Sequence, residues 1–129
     1  MLDTSVIIDA TGVAFPGELE LAISTITVAE LGVGIAAAKD DLERVKRTVG
    51  LQRVRAMFEE LPVDGAVAEA YVVAATAVRA DGRDHRPRGF DLLIAATALA
   101  HELPLYTRDL EDLMTLRHLI DLRPVGAPR

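Results

Sequence analysis

The chain has no cysteine among its 129 residues, which excludes disulfides, thiolate zinc sites and thiol catalysis together. Any bound metal must then be held by oxygen or by the three scattered histidines His85, His101 and His118. No apolar run approaches the ~20 residues that a bilayer span requires, and the most apolar stretch, 92–100, falls well short of it. The first residues carry an acid at Asp3 and no basic leader before an apolar core, so no signal peptide is expected and the cytoplasm is the default location. An excess of positive charge is missing too. The formal charge is -6, whereas proteins that hold nucleic acid by general electrostatics carry a basic face. Either nucleic acid is not the partner, or the acids cluster where cations neutralise them and the basic residues lie around that cluster. Repeats, low-complexity tracts and linkers are also lacking, and residues 1–129 read as one domain.

What is present is enough to build a core. Hydrophobic residues make up 50% of the chain and charged residues 26%, a balance typical of a packed domain and not of disorder. A strand stub at Met1-Leu2 leads through Asp3-Thr4-Ser5, all cap-forming residue types, into apolar Val6-Ile7-Ile8, which predicts a short first helix. Gly12, Pro16 and Gly17 mark a loop. Residues 19–23 read as a strand, and Ser24-Thr25-Ile26-Thr27 opens a helix through about Ala38. A longer helix is expected from about Asp40 to Glu60, with Leu42, Val45, Val49, Val54, Met57 and Phe58 at helical spacing. A short strand at 61–63, a helix over 66–79 and a polar loop over 81–89 follow. Then come the apolar helix 92–100, a strand over 103–107, a short helix over 109–113 and a last strand over 119–122. Alternation of this kind favours right-handed crossovers, hence a mostly parallel sheet with helices on both faces. Ligands of such sheets bind beyond the carboxyl ends of the strands.

Several acids fall at those positions. Asp3 follows the first stub, Glu30 is expected on the first turn of the helix after the second strand, and Asp109 follows the strand over 103–107, with Asp112 one turn later. Asp91 comes instead from a loop, at the start of the apolar helix. Singly, each has an ordinary explanation. Asp3, Asp91 and Asp109 could cap helices, and Thr27 to Glu30 has capping-box spacing. Together they are harder to explain as caps. If the strands are neighbours, the acids converge, and two carboxylates ~5 Å apart repel by roughly 3 kcal/mol at an effective dielectric of ~20. Hard divalent cations relieve such repulsion, and Mg²⁺ pairs a few carboxylates with phosphate oxygens and water. A site of this kind can activate water against a phosphodiester.

Four segments carry a family resemblance. Asp3-Thr4-Ser5-Val6 resembles the opening D-T-S of PIN domains, and Thr27-Val28-Ala29-Glu30-Leu31 with Gly34 resembles the Glu-Leu segment of their second helix. Phe90-Asp91 running into Leu92-Leu93-Ile94-Ala95-Ala96-Thr97-Ala98 is similar to the third acidic motif, and Leu105-Tyr106-Thr107-Arg108-Asp109-Leu110-Glu111-Asp112-Leu113 to the fourth. They occur in the family's order and span nearly the whole chain. The length resembles the VapC branch, the toxins of toxin–antitoxin pairs.

This resemblance implies a three-layer α/β/α sandwich with a mostly parallel central sheet, and RNA hydrolysis by metal-activated water using Mg²⁺, for which Mn²⁺ can substitute. By matching position, Asp3, Glu30, Asp91 and Asp109 are the catalytic and metal-binding acids. Asp112 is a supporting metal ligand, and Thr4, Ser5 and Thr107 are candidates to orient ligands or waters. It also implies a VapB-type antitoxin, whose tail lies in an apolar groove and can place a basic residue in the acidic site, and a homodimer. The helices over 31–38 and 66–78, rich in Ala and Val, supply apolar surface for such partners unless the core buries them. Arg79, Arg83, Arg86 and Arg88 are candidates to grip the RNA backbone, against the ordinary reading of a solvated basic loop. One departure from the family is that only two residues precede Asp3, where a longer first strand is common.

Two other readings compete. A catalytically silent PIN fold acting as a binding module would use the acids as caps. A receiver-like signalling domain would show an acidic pair after its first strand and a Lys after a late strand. Here the first strand offers Asp3 alone and the last strands carry no Lys.

Overall fold

A computed structural model describes residues 1–8 and 21–126. The loop expected around Gly12, Pro16 and Gly17, and the first residues of the strand expected over 19–23, lie outside the described residues. The elements run α1 (Thr4–Ile8), β1 (Ala22–Ser24), α2 (Thr25–Ala36), α3 (Asp41–Met57), β2 (Glu59–Leu61) and α4 (Gly65–Ala80), then α5 (Gly89–Ala100), β3 (Leu105–Thr107), α6 (Leu110–Leu113) and β4 (Leu122–Pro124). Short 3-10 turns occupy Arg86–Arg88 and Met114–Leu116.

The N-terminal stub organises the sheet. β1 pairs with β2 in parallel, Ala22 opposite Glu59, and β3 pairs with β4 in parallel, Leu105 opposite Leu122. Leu2 forms parallel bridges to both Ile23 and Tyr106. Its flanks are closed by Leu2 N to Ala22 O (2.9 Å), Tyr106 N to Met1 O (2.8 Å) and Asp3 N to Tyr106 O (2.9 Å). The order is therefore β2, β1, stub, β3, β4, and every pairing among the described residues is parallel. Parallel neighbours joined by helices end on the same side, so Asp3, Ser24 and Thr107 all sit at one edge.

The period-2 alternation of strand side chains divides the core into two layers. Met1, Ala22 and Leu105 face a cluster containing Ala74 and Val78 of α4 and Leu92, Ile94, Ala95 and Ala98 of α5. Leu2 and Ile23 face the other way, with Val6, Val54 and Phe58. Helices therefore cover both faces, as the alternation of elements predicts. Helix α5 is the most enclosed, with Leu92 and every residue from Ile94 to Ala98 buried. It meets α4 through small side chains such as Ala70 and Ala96, which let the two backbones approach closely.

Helix α3 is the opposite case. Asp40 caps it by accepting from Glu43 N at 2.8 Å, and none of its residues is buried. It is tied to α2 by Arg47 Nη1 donating to Gly34 O at 2.5 Å. Leu42, Val45 and Met57 remain exposed. Among the described residues no helix is long and apolar enough to cross a membrane.

Three boundaries differ from the sequence reading. Helix α3 stops at Met57, and β2 begins at Glu59 and not at Leu61, because backbone pairing to β1 outweighs the weak strand preference of two glutamates. The third strand is shorter than expected, since Leu103 N closes a turn on Ala98 O. The last strand is Leu122–Pro124 and not 119–122. Leu119 and Ile120 instead turn back on Leu116, with Ile120 buried in the core, and Pro124 is tolerated at a sheet edge. We predict that Ile23→Ala, a fully buried site at the join of the two strand pairs, costs about 2–5 kcal/mol of stability. Denaturant unfolding measures this, and a loss below about 1 kcal/mol would show that the stub is not seated on a packed face.

Candidate active site

The edge where the strands end holds a hydrogen-bonded network centred on Asp3, which is 5% exposed. Asp3 Oδ1 accepts from Thr4 N at 2.9 Å, and Oδ2 accepts from Ser5 Oγ and Thr107 Oγ1, both at 2.9 Å. Thr107 is fully buried, and its hydroxyl also accepts from Asp109 N at 2.9 Å. One hydroxyl therefore fixes both the Asp3 carboxylate and the backbone that carries Asp109. On the other flank Thr4 Oγ1 donates to Glu30 Oε1 at 2.7 Å and lies 3.0 Å from Thr27 Oγ1. Arg108 N donates to Ser5 Oγ at 3.1 Å.

The capping explanations for these acids do not describe their contacts. Ser24 caps α2, its side chain accepting from Ile26 N, so Thr27 and Glu30 form no capping box and the Glu30 carboxylate turns to Thr4. Asp91 lies in the first turn of α5, where Arg88 occupies the cap position without a side-chain bond. Asp109 occupies the cap position of α6 and also makes no side-chain cap bond. Asp3 bonds the first amide of α1 but spends its other oxygen on Ser5 and Thr107.

The five acids share one field. Partial burial, then the carboxylates of Asp3, Glu30, Asp109 and Asp112 in that order, push the Asp91 carboxyl up to about 6 from an ordinary 3.8. Burial, Asp3 and Asp112 raise Asp109 as well. Such shifts mark groups held near like charge in a cleft, the usual setting of a reactive site. The structure thus brings Asp3, Glu30, Asp91, Asp109 and Asp112 into one electrostatic neighbourhood. It does not bring the histidines there. His101 and His118 are exposed, and His85 packs edge-on against Tyr71 at 6.5 Å.

The donor set suits a hard cation. It offers only oxygen, and Asp3 keeps acceptor capacity beyond its three donors, since a carboxylate has about four lone-pair sites. Among the described residues no three His, Cys, Asp or Glu groups are gathered into a ready-made metal cage.

Sequence reading missed two partners. Thr27 supports Thr4 from the second helix, a contact no local spacing signals. Arg88, read there only as an RNA contact, donates through Nη1 to Asp112 O at 2.6 Å and lies 3.4 Å from Asp112 Oδ1. It ties the start of α5 to α6 and holds Asp112 beside Asp91.

Fold and site together define an α/β scaffold with a parallel sheet and a group of carboxylates at the strand ends. The PIN domain profile matches residues 1–113. Ribonuclease VapC4 of Mycobacterium tuberculosis (strain ATCC 25618 / H37Rv) is 32% identical over 113 residues, covering 84% of this chain and 85% of that protein. Ribonuclease VapC5 of the same organism is 38% identical over 89 residues, 69% of this chain and 64% of that protein. Among solved structures, VapBC-5 from Mycobacterium tuberculosis superposes with a TM-score of 0.74 at 33% identity, covering 96% of this chain and 94% of that one. The chain belongs to the PIN-domain family, among its VapC ribonucleases.

Two predictions follow from the network and its field. Thr107→Val removes the donor to Asp3 and the acceptor for Asp109 N, and should cost about 1–3 kcal/mol through the groups left unsatisfied, read by denaturant unfolding. A raised carboxyl pKa means that the folded state keeps a proton the unfolded chain has lost, so between the ordinary 3.8 and about 6 stability falls as pH rises. In chelator, the melting temperature should therefore drop across this window, and Asp91→Asn should flatten the drop and melt higher at neutral pH. An Asp91→Asn profile parallel to wild type would remove Asp91 from the strained cluster.

Proposed function

We propose that this chain is a divalent-metal-dependent endoribonuclease, with Mg²⁺ as its ion and Mn²⁺ as a substitute, and that it is the toxin half of a VapBC pair. The observation that carries this reading is that Asp3, Glu30, Asp109 and Asp112 all act on Asp91, whose carboxyl is pushed up to about 6 by partial burial first and by these neighbouring charges second. The relatives named as ribonucleases support the same activity.

Asp3, Glu30, Asp91 and Asp109, with Asp112 beside them, would hold the divalent ion, which when bound would supply the Lewis acidity that activates water and offsets phosphodiester charge. The chain's own residues do the positioning. Asp3 is immobilised by three donors and needs no reorganisation when a ligand arrives. The hydroxyls of Thr4, Ser5 and Thr107 are all engaged with carboxylates, which makes them orienting groups and not nucleophiles. Asp91 makes no such bond among the described residues, which leaves its carboxylate oxygens open to a cation.

The partner reading rests on the second layer. A groove of about 410 Å³ between α2 and α3 is lined by Ile7, Leu31, Leu51 and Val54, and Glu30 forms part of its wall. Exposed Val33, Leu42 and Val45 extend the apolar surface of the same two helices. A VapB-type segment would fill this groove with apolar side chains and reach the carboxylates with a basic one; a VapBC toxin–antitoxin structure is among the structural relatives. Helix α4 buries Val67, Ala70, Ala74, Ala75 and Val78 but leaves Val72 and Val73 outward, and we assign that outer face to a homodimer.

The purified chain should cleave RNA in Mg²⁺ or Mn²⁺ and stop in EDTA. Asp91→Asn should reduce cleavage to background while its chelator melting temperature stays at or above that of wild type. Cation at ten times its Kd should stabilise the wild type by about 1.4 kcal/mol, with a smaller gain in Asp91→Asn. Cleavage by Asp91→Asn at the wild-type rate would overturn the assignment, and a folded wild type that cuts no RNA under any of these conditions would favour a silent binding module.

A further inference from the structure

The four arginines around the loop between α4 and α5 are not equivalent. Arg86 is spent on Asp84, with Nε and Nη2 each 3.1 Å from a carboxylate oxygen. Arg88 is spent on Asp112. Arg83 is held only loosely, its Nε 4.0 Å from Asp81 Oδ2, and that carboxylate is also drawn away by Thr115 Oγ1 at 3.3 Å. Arg79 pairs with no carboxylate among the described residues.

The turn that carries them is specified. Gly82 has φ 77°, Gly82 N donates to Arg79 O at 3.0 Å and Arg83 N to Val78 O at 3.1 Å, the two bonds of a Schellman motif. This folds Arg83 back beside the last turn of α4, where both it and Arg79 line an open hollow of about 540 Å³ with His85 and the Asp84–Arg86 pair. The His85 ring, packed against Tyr71, fixes the wall of that hollow to α4. Arg83 also lines a narrow crevice with Arg88, Asp91 and Asp112. It is thus the common wall between the hollow and the acidic cluster.

We propose that Arg79 and Arg83 form an anion subsite that takes a backbone phosphate of RNA flanking the one at the carboxylates. The proposal rests on the ribonuclease reading for its ligand. A chain of net charge -6 with five gathered acids repels RNA unless cationic groups stand beside the cluster, and two guanidinium forks not engaged in tight ion pairs meet that need. Arg86 and Arg88, already neutralised, hold the loop and Asp112 in place.

The test is binding of a labelled single-stranded oligoribonucleotide at several salt concentrations, in an Asp91→Asn background that prevents cleavage. Arg83→Ala and Arg79→Ala should each weaken binding roughly 10-fold and reduce the slope of log affinity against log salt by about 0.7. Arg83→Lys should recover most of the loss, and Arg53→Ala, exposed on α3, should change neither quantity. Arg83→Ala indistinguishable from Arg53→Ala overturns the subsite, as does a wild type that binds no RNA. Absence of RNA cleavage by the native chain alongside Arg83-dependent binding overturns the ribonuclease reading and leaves the subsite standing.

Discussion

The bond from Thr107 Oγ1 to Asp3 Oδ2 is the constraint on which the rest of the site depends. It joins residues 104 positions apart, across the seam where the stub enters the sheet. Chain ends usually fray unless the backbone is tied down. Here Leu2 is fully buried and paired on both sides, so the first residues form the middle of the sheet and not its margin. Without the stub, β1 and β2 would be one pair and β3 and β4 another, and Asp3 and Asp109 would have no common reference frame. Formation of the site is therefore inseparable from closure of the sheet, and the acids meet only in a fully folded chain.

That coupling has an electrostatic cost. Gathering carboxylates raises the folded-state free energy wherever they are ionised, and the upward shifts at Asp91 and Asp109 record burial first and this repulsion second. The surrounding structure offsets the cost through buried apolar layers on both faces and through neutral donors aimed at Asp3. Hydroxyls are well suited to this task. Thr4, Ser5 and Thr107 hold the carboxylates in place without neutralising them, whereas an ordinary ion pair at the centre would have relieved the repulsion and left nothing for a cation to offset. Arg88 is the nearest to such a pair, and it approaches Asp112, the outermost acid by position in the sequence motif, mostly through the backbone carbonyl.

Much of the architecture was legible in the residues. The alternation of strands with helices along the chain, the cap-type residues Asp3-Thr4-Ser5 before the first helix and the unbroken apolar helix after Asp91 are local signals of a parallel sheet covered on both faces. The edge strands were not. Glu59-Glu60 and Arg123-Pro124 carry little strand preference, and they pair because the neighbouring backbone offers bonds, a tertiary effect that no window of sequence contains. The same limit applies to the site. The positions of Asp3 and Asp109 after strands could be read, but the choice between capping and clustering could not. That choice is decided by Ser24 taking the cap of α2 and by Thr4 reaching Glu30, contacts set by how α1 crosses α2.

The net charge, which at first argues against a polyanionic ligand, takes on a different meaning once its distribution is known. On α3 acids and bases pair with each other, Arg44 with Asp41 and Arg47 with Glu43, and contribute little to any distant field because such exposed pairs are largely screened. Asp3, Glu30, Asp91, Asp109 and Asp112 act on one another at the strand ends, where a proton, a divalent ion or a partner's cationic side chain would each relieve the same repulsion. Those occupants exclude one another because they compete for the same lone pairs. On the proposed reading, activity and inhibition are then two outcomes of one electrostatic deficit. On the same reading, a groove wall that includes Glu30 would give a bound peptide direct access to the proposed cation ligands, so that restraint of the enzyme would require no change in its fold.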